Sequence, residues 1–230
     1  MKDFQISVII PAYNCERFVE EAIHSVIHQS LKPFEIIVVD DGSTDSTKEK
    51  IAVFKDAVRY IYQSNSGSSV ARNRGIREAK GNYFSFLDAD DIWVHEKLEK
   101  QATAFITKHD LDAAFGYAKN FHSPVVCDMH RDKIKGVSEP MPAYVPGSML
   151  IKRESFFRVG YYEPKWIIGE VIDWYMKAKE LNLMMAIIPD VVLMRRLHAD
   201  NKGIREQKFQ TQYIRIIKAA LDRRRKNTTS

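Results

Sequence analysis

Tyr83-Phe84-Ser85-Phe86-Leu87-Asp88-Ala89-Asp90-Asp91 is an apolar run that ends on three carboxylates within four positions. An apolar run this short, bounded by a polar turn, reads as a buried strand. Carboxylates this close repel each other, so the arrangement is costly unless a cation or solvent compensates. Hard oxygen ligands favour Mg²⁺ or Mn²⁺, and Mg²⁺ commonly joins one or two carboxylates to substrate phosphates. The competing reading is a solvated strand-end turn in which Asp91 caps a following helix.

Upstream, strand and helix patterns alternate. Gln5 to Ile10 is a β-branched run that Pro11 is expected to end. From Cys15 to Gln29, apolar residues recur at helical spacing (Phe18, Val19, Ala22, Ile23, Val26, Ile27), with Asn14 placed to cap them. Phe34 to Val39 is a second strand, running into Asp40-Asp41-Gly42-Ser43-Thr44-Asp45. Val58 to Tyr62 reads as a third strand, and Ser66 to Ala79 as a glycine-started helix. This alternation predicts an α/β fold with a mostly parallel sheet and helices on both faces. Ligands of such sheets lie beyond the carboxyl ends of the strands, where the polar groups at 11–14, 40–41 and 88–91 would meet.

Downstream the pattern loosens. Leu111 to Tyr117, Ser148 to Ile151, Met185 to Ile188 and Val191 to Leu197 read as strands. Gly169 to Leu181 reads as a helix, and Ile204 to Arg225 as an amphipathic one. Phe121 to Tyr144 is polar and proline-containing, and no element is assigned to it. Neither an internal repeat nor a linker is evident. The expectation is one domain over 1–230: a donor-side half at 1–118, an acceptor-side half at 119–203, and a C-terminal helix with a basic tail at 204–230.

The 230 residues are 45% hydrophobic and 28% charged, enough for one substantial core and unlike a disordered chain. A net charge of +5 suits an anionic substrate, an anionic membrane surface or nucleic acid, and does not choose among them. Basic residues do not interleave with aromatics except near the C-terminus, so no nucleic-acid partner is expected. Cys15 and Cys127 form no short-spaced metal or redox motif. The N-terminus has no secretory pattern, and no apolar run is long enough to span a bilayer. The expected location is cytoplasmic, with any membrane contact peripheral. Arg215, Lys218, Arg223, Arg224, Arg225 and Lys226 make the last helix basic, which fits either an anionic lipid surface or a solvated face.

Asp40-Asp41-Gly42-Ser43 is by itself as consistent with a capped turn as with a ligand site. Ala71-Arg72-Asn73-Arg74-Gly75 alone reads as a surface helix, although a helix start and arginine both favour anions. Taken together and in order, Pro11-Ala12-Tyr13-Asn14, Asp40 to Asp45, Ala71 to Gly75 and Leu87 to Asp91 resemble family 2 glycosyltransferases. That family has the GT-A fold, with a Rossmann-like, mostly parallel sheet flanked by helices and a smaller acceptor-side region. The resemblance implies a nucleotide-sugar donor, a UDP-sugar by the family's commonest base. Pro11, Tyr13 and Asp41 would line the base and ribose pocket, and Arg72 would lie near the nucleotide. Asp90 would bind Mn²⁺ or Mg²⁺ directly, and Asp88 would contact the ribose or the metal's water shell. His198 fits the slot of a third metal ligand, and Arg195 and Arg196 could hold the diphosphate.

The resemblance further implies inverting transfer to a hydroxyl acceptor, whether glycan, lipid-linked or other. The family's base is the aspartate of a Glu-Asp pair at a helix start. This chain has Gly169-Glu170-Val171-Ile172-Asp173-Trp174, with Val171 in the aspartate slot. Glu170 or Asp173 would then serve as base, with a preference for Glu170. Acidic residues at a helix start also stabilise it through its dipole, which is the plain alternative. Trp166 and Trp174 are candidate acceptor aromatics, and residues 121–144 would shape acceptor choice. Val171 keeps a second hypothesis open, a non-catalytic nucleotide-sugar-binding or assembly protein on the same fold. A nucleotidyltransferase would need a glycine-rich loop where Pro11-Ala12-Tyr13-Asn14 stands, and a dinucleotide-binding oxidoreductase would need its own glycine fingerprint.

Overall fold

The computed structural model describes residues 3–122, 139–198, 201 and 209–228. Cys127, most of the 121–144 segment and the start of the expected last helix therefore lie outside the described residues. The strands are β1 (Ile6–Ala12), β2 (Glu35–Asp40), β3 (Arg59–Tyr62), β4 (Tyr83–Phe86), β5 (Ile92–Trp93), β6 (Ala113–His122), β7 (Met141–Ala143), β8 (Leu150–Lys152) and β9 (Met185–Leu197). The helices are α1 (Val19–Ile27), α2 (Thr47–Ala52), α3 (Ser68–Glu78), α4 (Lys97–Thr107), α5 (Arg153–Val159), α6 (Glu170–Glu180) and α7 (Thr211–Thr228). One sheet runs in the order β3-β2-β1-β4-β8-β6-β9-β5, with β7 on β6. Strands β1 to β4, β6 and β9 all point one way, while β5, β7 and β8 run against them. The sheet is thus mostly parallel, with helices on both faces.

The inner strands are apolar throughout because both faces are covered. Val8, Ile10, Ile36 and Val38 pack with Val19, Ala22, Ile23 and Val26 of α1. Their alternates Ile9, Ile37 and Val39 pack with Ala71 and Ile76 of α3, in a cluster that also holds Phe156 of α5 and Trp174 of α6. Gly75 sets the closeness of α3 to β1. A Cβ there would lie 2.4 Å from the Ile9 side chain.

Three expectations fail locally. Pro11 does not end β1, which pairs on through Pro11 opposite Val39 and Ala12 opposite Asp40. Pairing with β4 stops at Ile9 opposite Phe86, so the side of Pro11 that lacks a donor faces no strand. Asn14 does not cap α1, whose first turn follows Phe18. It takes a left-handed φ of 46° and its Oδ1 accepts from the Thr44 N–H at 2.8 Å, joining two loops. The two late strands are one, β9, whose pairing with β6 shifts register around Tyr117. Such irregularities bend a strand without ending it.

Candidate functional site

The carboxyl ends of β1, β2 and β4 open into a cleft of about 740 Å³. Pro11, Tyr13, Asp41, Arg72, Asp88 and Asp90 line it, and His198 closes one side. Residues far apart in sequence meet here because parallel strands end at the same edge.

At the β2 end of the cleft, Asp41 is a clamp. Its carboxylate accepts from Gln63 Nε2 at 2.7 Å and from the Ser66 and Gly67 N–H groups, both at 2.8 Å. Those donors fix the start of α3 against β2. Gly42 makes the turn possible with φ +79°, and a Cβ on it would lie 2.7 Å from the Asn65 nitrogen. Tyr13 is 40% exposed, so its ring face is open to a ligand. Cys15 is buried beneath this end, and burial pushes its thiol up to about 12, which rules out a reactive thiolate at neutral pH.

Arg72 occupies the centre. It is 5% exposed. Its Nη2 donates to Asp88 Oδ1 at 2.6 Å and its Nη1 to Glu170 Oε1 at 3.1 Å. Burial opposes its charge, but Asp88 and Glu170 outweigh burial and hold the guanidinium above its ordinary pKa. Ser68 Oγ also donates to Glu170, at 3.2 Å. Glu170 is therefore buried behind Arg72 and Ser68, which line the cleft, and does not itself line it. Arg74, two positions on, faces solvent and pairs with Glu78.

Asp173 does not join this group. It is 2% exposed and faces α7, 3.0 Å from Lys177 Nζ and 3.3 Å from Arg223 Nη1. Val171 packs on the apolar cluster, in a small crevice lined by Phe115, Tyr144 and Trp174. Trp174 is a core residue, stacked on Phe156 with its Nε1 donating to the Gly160 carbonyl at 2.9 Å, which removes it as an acceptor aromatic. Trp166 does line the cleft.

Asp90 turns the other way from Asp88. Its Oδ2 lies 2.9 Å from His198 Nε2 and 3.3 Å from Asn201 Nδ2. Among the described residues no three histidine, cysteine or acidic side chains converge as a closed metal cage. The pair of one carboxylate oxygen and one imidazole nitrogen at an open cleft still fits a divalent ion that draws its other ligands from phosphate and water.

Arg196 corrects one expectation. It does not reach the cleft as a diphosphate ligand but is 3% exposed behind it. Its guanidinium lies between the Phe18 and Phe121 rings, at 4.9 and 4.7 Å. Its Nε donates to the Asp90 carbonyl at 2.8 Å, its backbone N–H to Asp91 Oδ1 at 2.9 Å, and Nη2 pairs with Glu21. Asp91 is thus a tie to β9 and not a helix cap. Burial, with Asp90 and Asp88 adding repulsion, pushes the Asp91 carboxyl well above the usual range. Ser68 and Arg196 escaped the sequence reading as supports of the site. The only trace of Ser68 was its place at a helix start beside Arg72.

The α/β cleft thus brings together a strand-end Asp-x-Asp and a buried arginine that holds a helix-start glutamate behind it. Residues 7–162 match the family model described as Glycosyl transferase family 2. The chain belongs to that family. It is 38% identical over 117 residues to the putative teichuronic acid biosynthesis glycosyltransferase TuaG of Bacillus subtilis, covering 49% of this chain and 46% of TuaG. It is 37% identical over 123 residues to the glycosyltransferase GlyA of Streptococcus pneumoniae, covering 52% of this chain and 18% of GlyA. In fold it resembles S. aureus TarS 1–349 solved in complex with UDP, with TM-score 0.68, 24% identity, and coverage of 85% of this chain and 61% of that 1–349 chain. The chain thus spans less than two thirds of the length of these relatives, and its fold is of the GT-A type.

Proposed function

We propose that the cleft binds a nucleotide-diphosphate sugar, a UDP-sugar, and that the enzyme transfers the sugar with inversion to an acceptor hydroxyl. The observation that carries this reading is the Arg72 bridge. It brings Asp88 and Glu170 to one guanidinium although Arg72 and Glu170 are 98 positions apart. Support for the base comes from similarity to TarS, which has been solved with UDP and with UDP-GlcNAc.

On this reading Tyr13 stacks on the base and Asp41 holds the pocket floor. Asp88 contacts the ribose or the water shell of the metal. Asp90 and His198 hold Mn²⁺ or Mg²⁺, which when bound neutralises charge on the leaving diphosphate. Glu170 is the base that takes the acceptor proton, and Asp173 is left with a structural role on α7. An anionic donor that draws on Arg72 would loosen one of the two hydrogen bonds holding Glu170 Oε1. Inversion in a single displacement requires one such base on the acceptor side.

A second reading, a donor-binding protein that does not transfer, draws on the apolar environment of Val171. Release of UDP from UDP-sugars with Mn²⁺ separates the two. Transfer predicts UDP release that Glu170→Gln abolishes while UDP binding survives. Binding without release from any donor would put the non-catalytic reading first.

A further inference from the structure

Helix α7 has two apolar faces. Ile216 and Ala220 are 0% and 2% exposed, and Ile216 and Tyr213 pack on Gly169 at the start of α6. On the flank that adjoins this buried face Ile214, Ile217 and Leu221 are 69%, 47% and 47% exposed. Their spacing of three and four puts them in one stripe along the helix. Lys218, Arg224 and Arg225 border this stripe, while Arg215 and Asp222 lie further round the helix. A stripe of large aliphatics bordered by cations is the composition of a helix that lies in a lipid interface.

We infer that this face of α7 docks on an anionic lipid bilayer, with the three aliphatics entering the headgroup boundary and the cations meeting lipid phosphates. The charge argues against a second copy as occupant. In a two-fold contact between identical faces, the basic border would meet itself. No described helix is long and apolar enough to cross a membrane, so the contact would be peripheral. Docking would also set the cleft beside the bilayer. Gln212 Oε1 accepts from the Ile167 and Ile168 N–H groups at 2.9 and 3.2 Å, and Ile167 lines the cleft. That placement favours a lipid-linked acceptor, a consequence that rests on the glycosyl-transfer reading. The docking itself does not.

The test is co-sedimentation of the whole chain with vesicles of phosphatidylcholine alone and with about one third phosphatidylglycerol, without donor or metal. Binding should appear with the anionic vesicles and weaken steeply with salt. Ile217→Asp with Leu221→Asp should reduce it roughly tenfold or more. Lys218→Gln should reduce it about fivefold, the effect of one cation near such a surface. All these residues are exposed, so unchanged thermal unfolding would show that the fold survives. Absence of binding to anionic vesicles, or equal binding by wild type and the double variant, overturns the proposal. So does a shift from dimer to monomer in sedimentation velocity caused by the double variant, which would make the face a contact between copies.

Discussion

Two closely spaced acidic pairs, Asp88 with Asp90 and Glu170 with Asp173, meet different fates. The strand-end pair is open, with side chains 41% and 29% exposed. The helix-start pair is buried, at 6% and 3%. Both strand-end carboxylates reach one cleft, one towards Arg72 and one towards His198. Of the helix pair Glu170 backs the cleft through Arg72 and Ser68, while Asp173 is held by Lys177 and Arg223. At the carboxyl edge of the parallel strands Asp88 and Asp90 reach the cleft, although Asp91 beside them turns to β9. A residue on a helix goes where the packing of that helix sends it, and here α7 captured Asp173.

The sharpest way to break this comparison is at the strand end. Asp90→Ala should lower metal-dependent UDP affinity by roughly a hundredfold or more, since even the partners of metal ligands are commonly worth 10- to 100-fold. Titration calorimetry with and without Mn²⁺ would read it. At the helix start, Glu170→Gln should cost turnover on the order of 10² to 10⁴, the usual contribution of a general base, with donor affinity nearly kept. Asp173→Asn should leave turnover within a few-fold and instead lower stability by about 1 kcal/mol, in line with one weakened charged hydrogen bond. Equal loss of turnover in both variants would erase the proposed division between the two carboxylates.

Arg196 links the strand-end pair to its surroundings, and its replacement sharpens the contrast. Arg196→Met should weaken metal-dependent UDP binding about tenfold by loosening the Asp90 turn, while leaving the Glu170 end intact. The smallest effect concerns Lys97, buried on the opposite face. Its ammonium donates to Ser85 Oγ at 2.8 Å and Gln101 Oε1 at 2.7 Å, and sits 4.0 Å from the Trp93 ring centroid. Burial nevertheless pushes its pKa well below the lysine range. The folded state then binds fewer protons than the unfolded chain. Stability therefore rises with pH from the folded value up to the unfolded pKa of about 10.4. Denaturation between pH 7 and 10 should show that rise, and Lys97→Met should flatten it.

The contrast also explains what could be read from the sequence. Strands β1 to β4 and the cleft at their ends follow from apolar runs that stop on polar residues, so Asp41, Asp88 and Asp90 were visible as a group. Arg72 was visible only through the motif around it, because composition alone reads α3 as a surface helix. Arg196 was misjudged because a basic pair after a strand looks like an anion site. Only the aromatic sandwich of Phe18 and Phe121, residues distant in sequence, shows where its charge goes. Asp173 shared a helix turn with Glu170, and nothing in local spacing announces Arg223 50 positions later. The unbroken β9 was hidden by Pro189 and Asp190, which look like a turn and instead sit where the strand bends.

The most direct test of the account is a thermal-shift comparison of UDP, GDP, CDP and dTDP, each with and without Mn²⁺, on wild type and Asp90→Ala. A ligand that binds only the folded state raises its melting temperature. The account predicts a rise with UDP that needs Mn²⁺ and disappears in Asp90→Ala. No shift with any nucleotide well above expected affinities, or the same shift in both proteins, would contradict it.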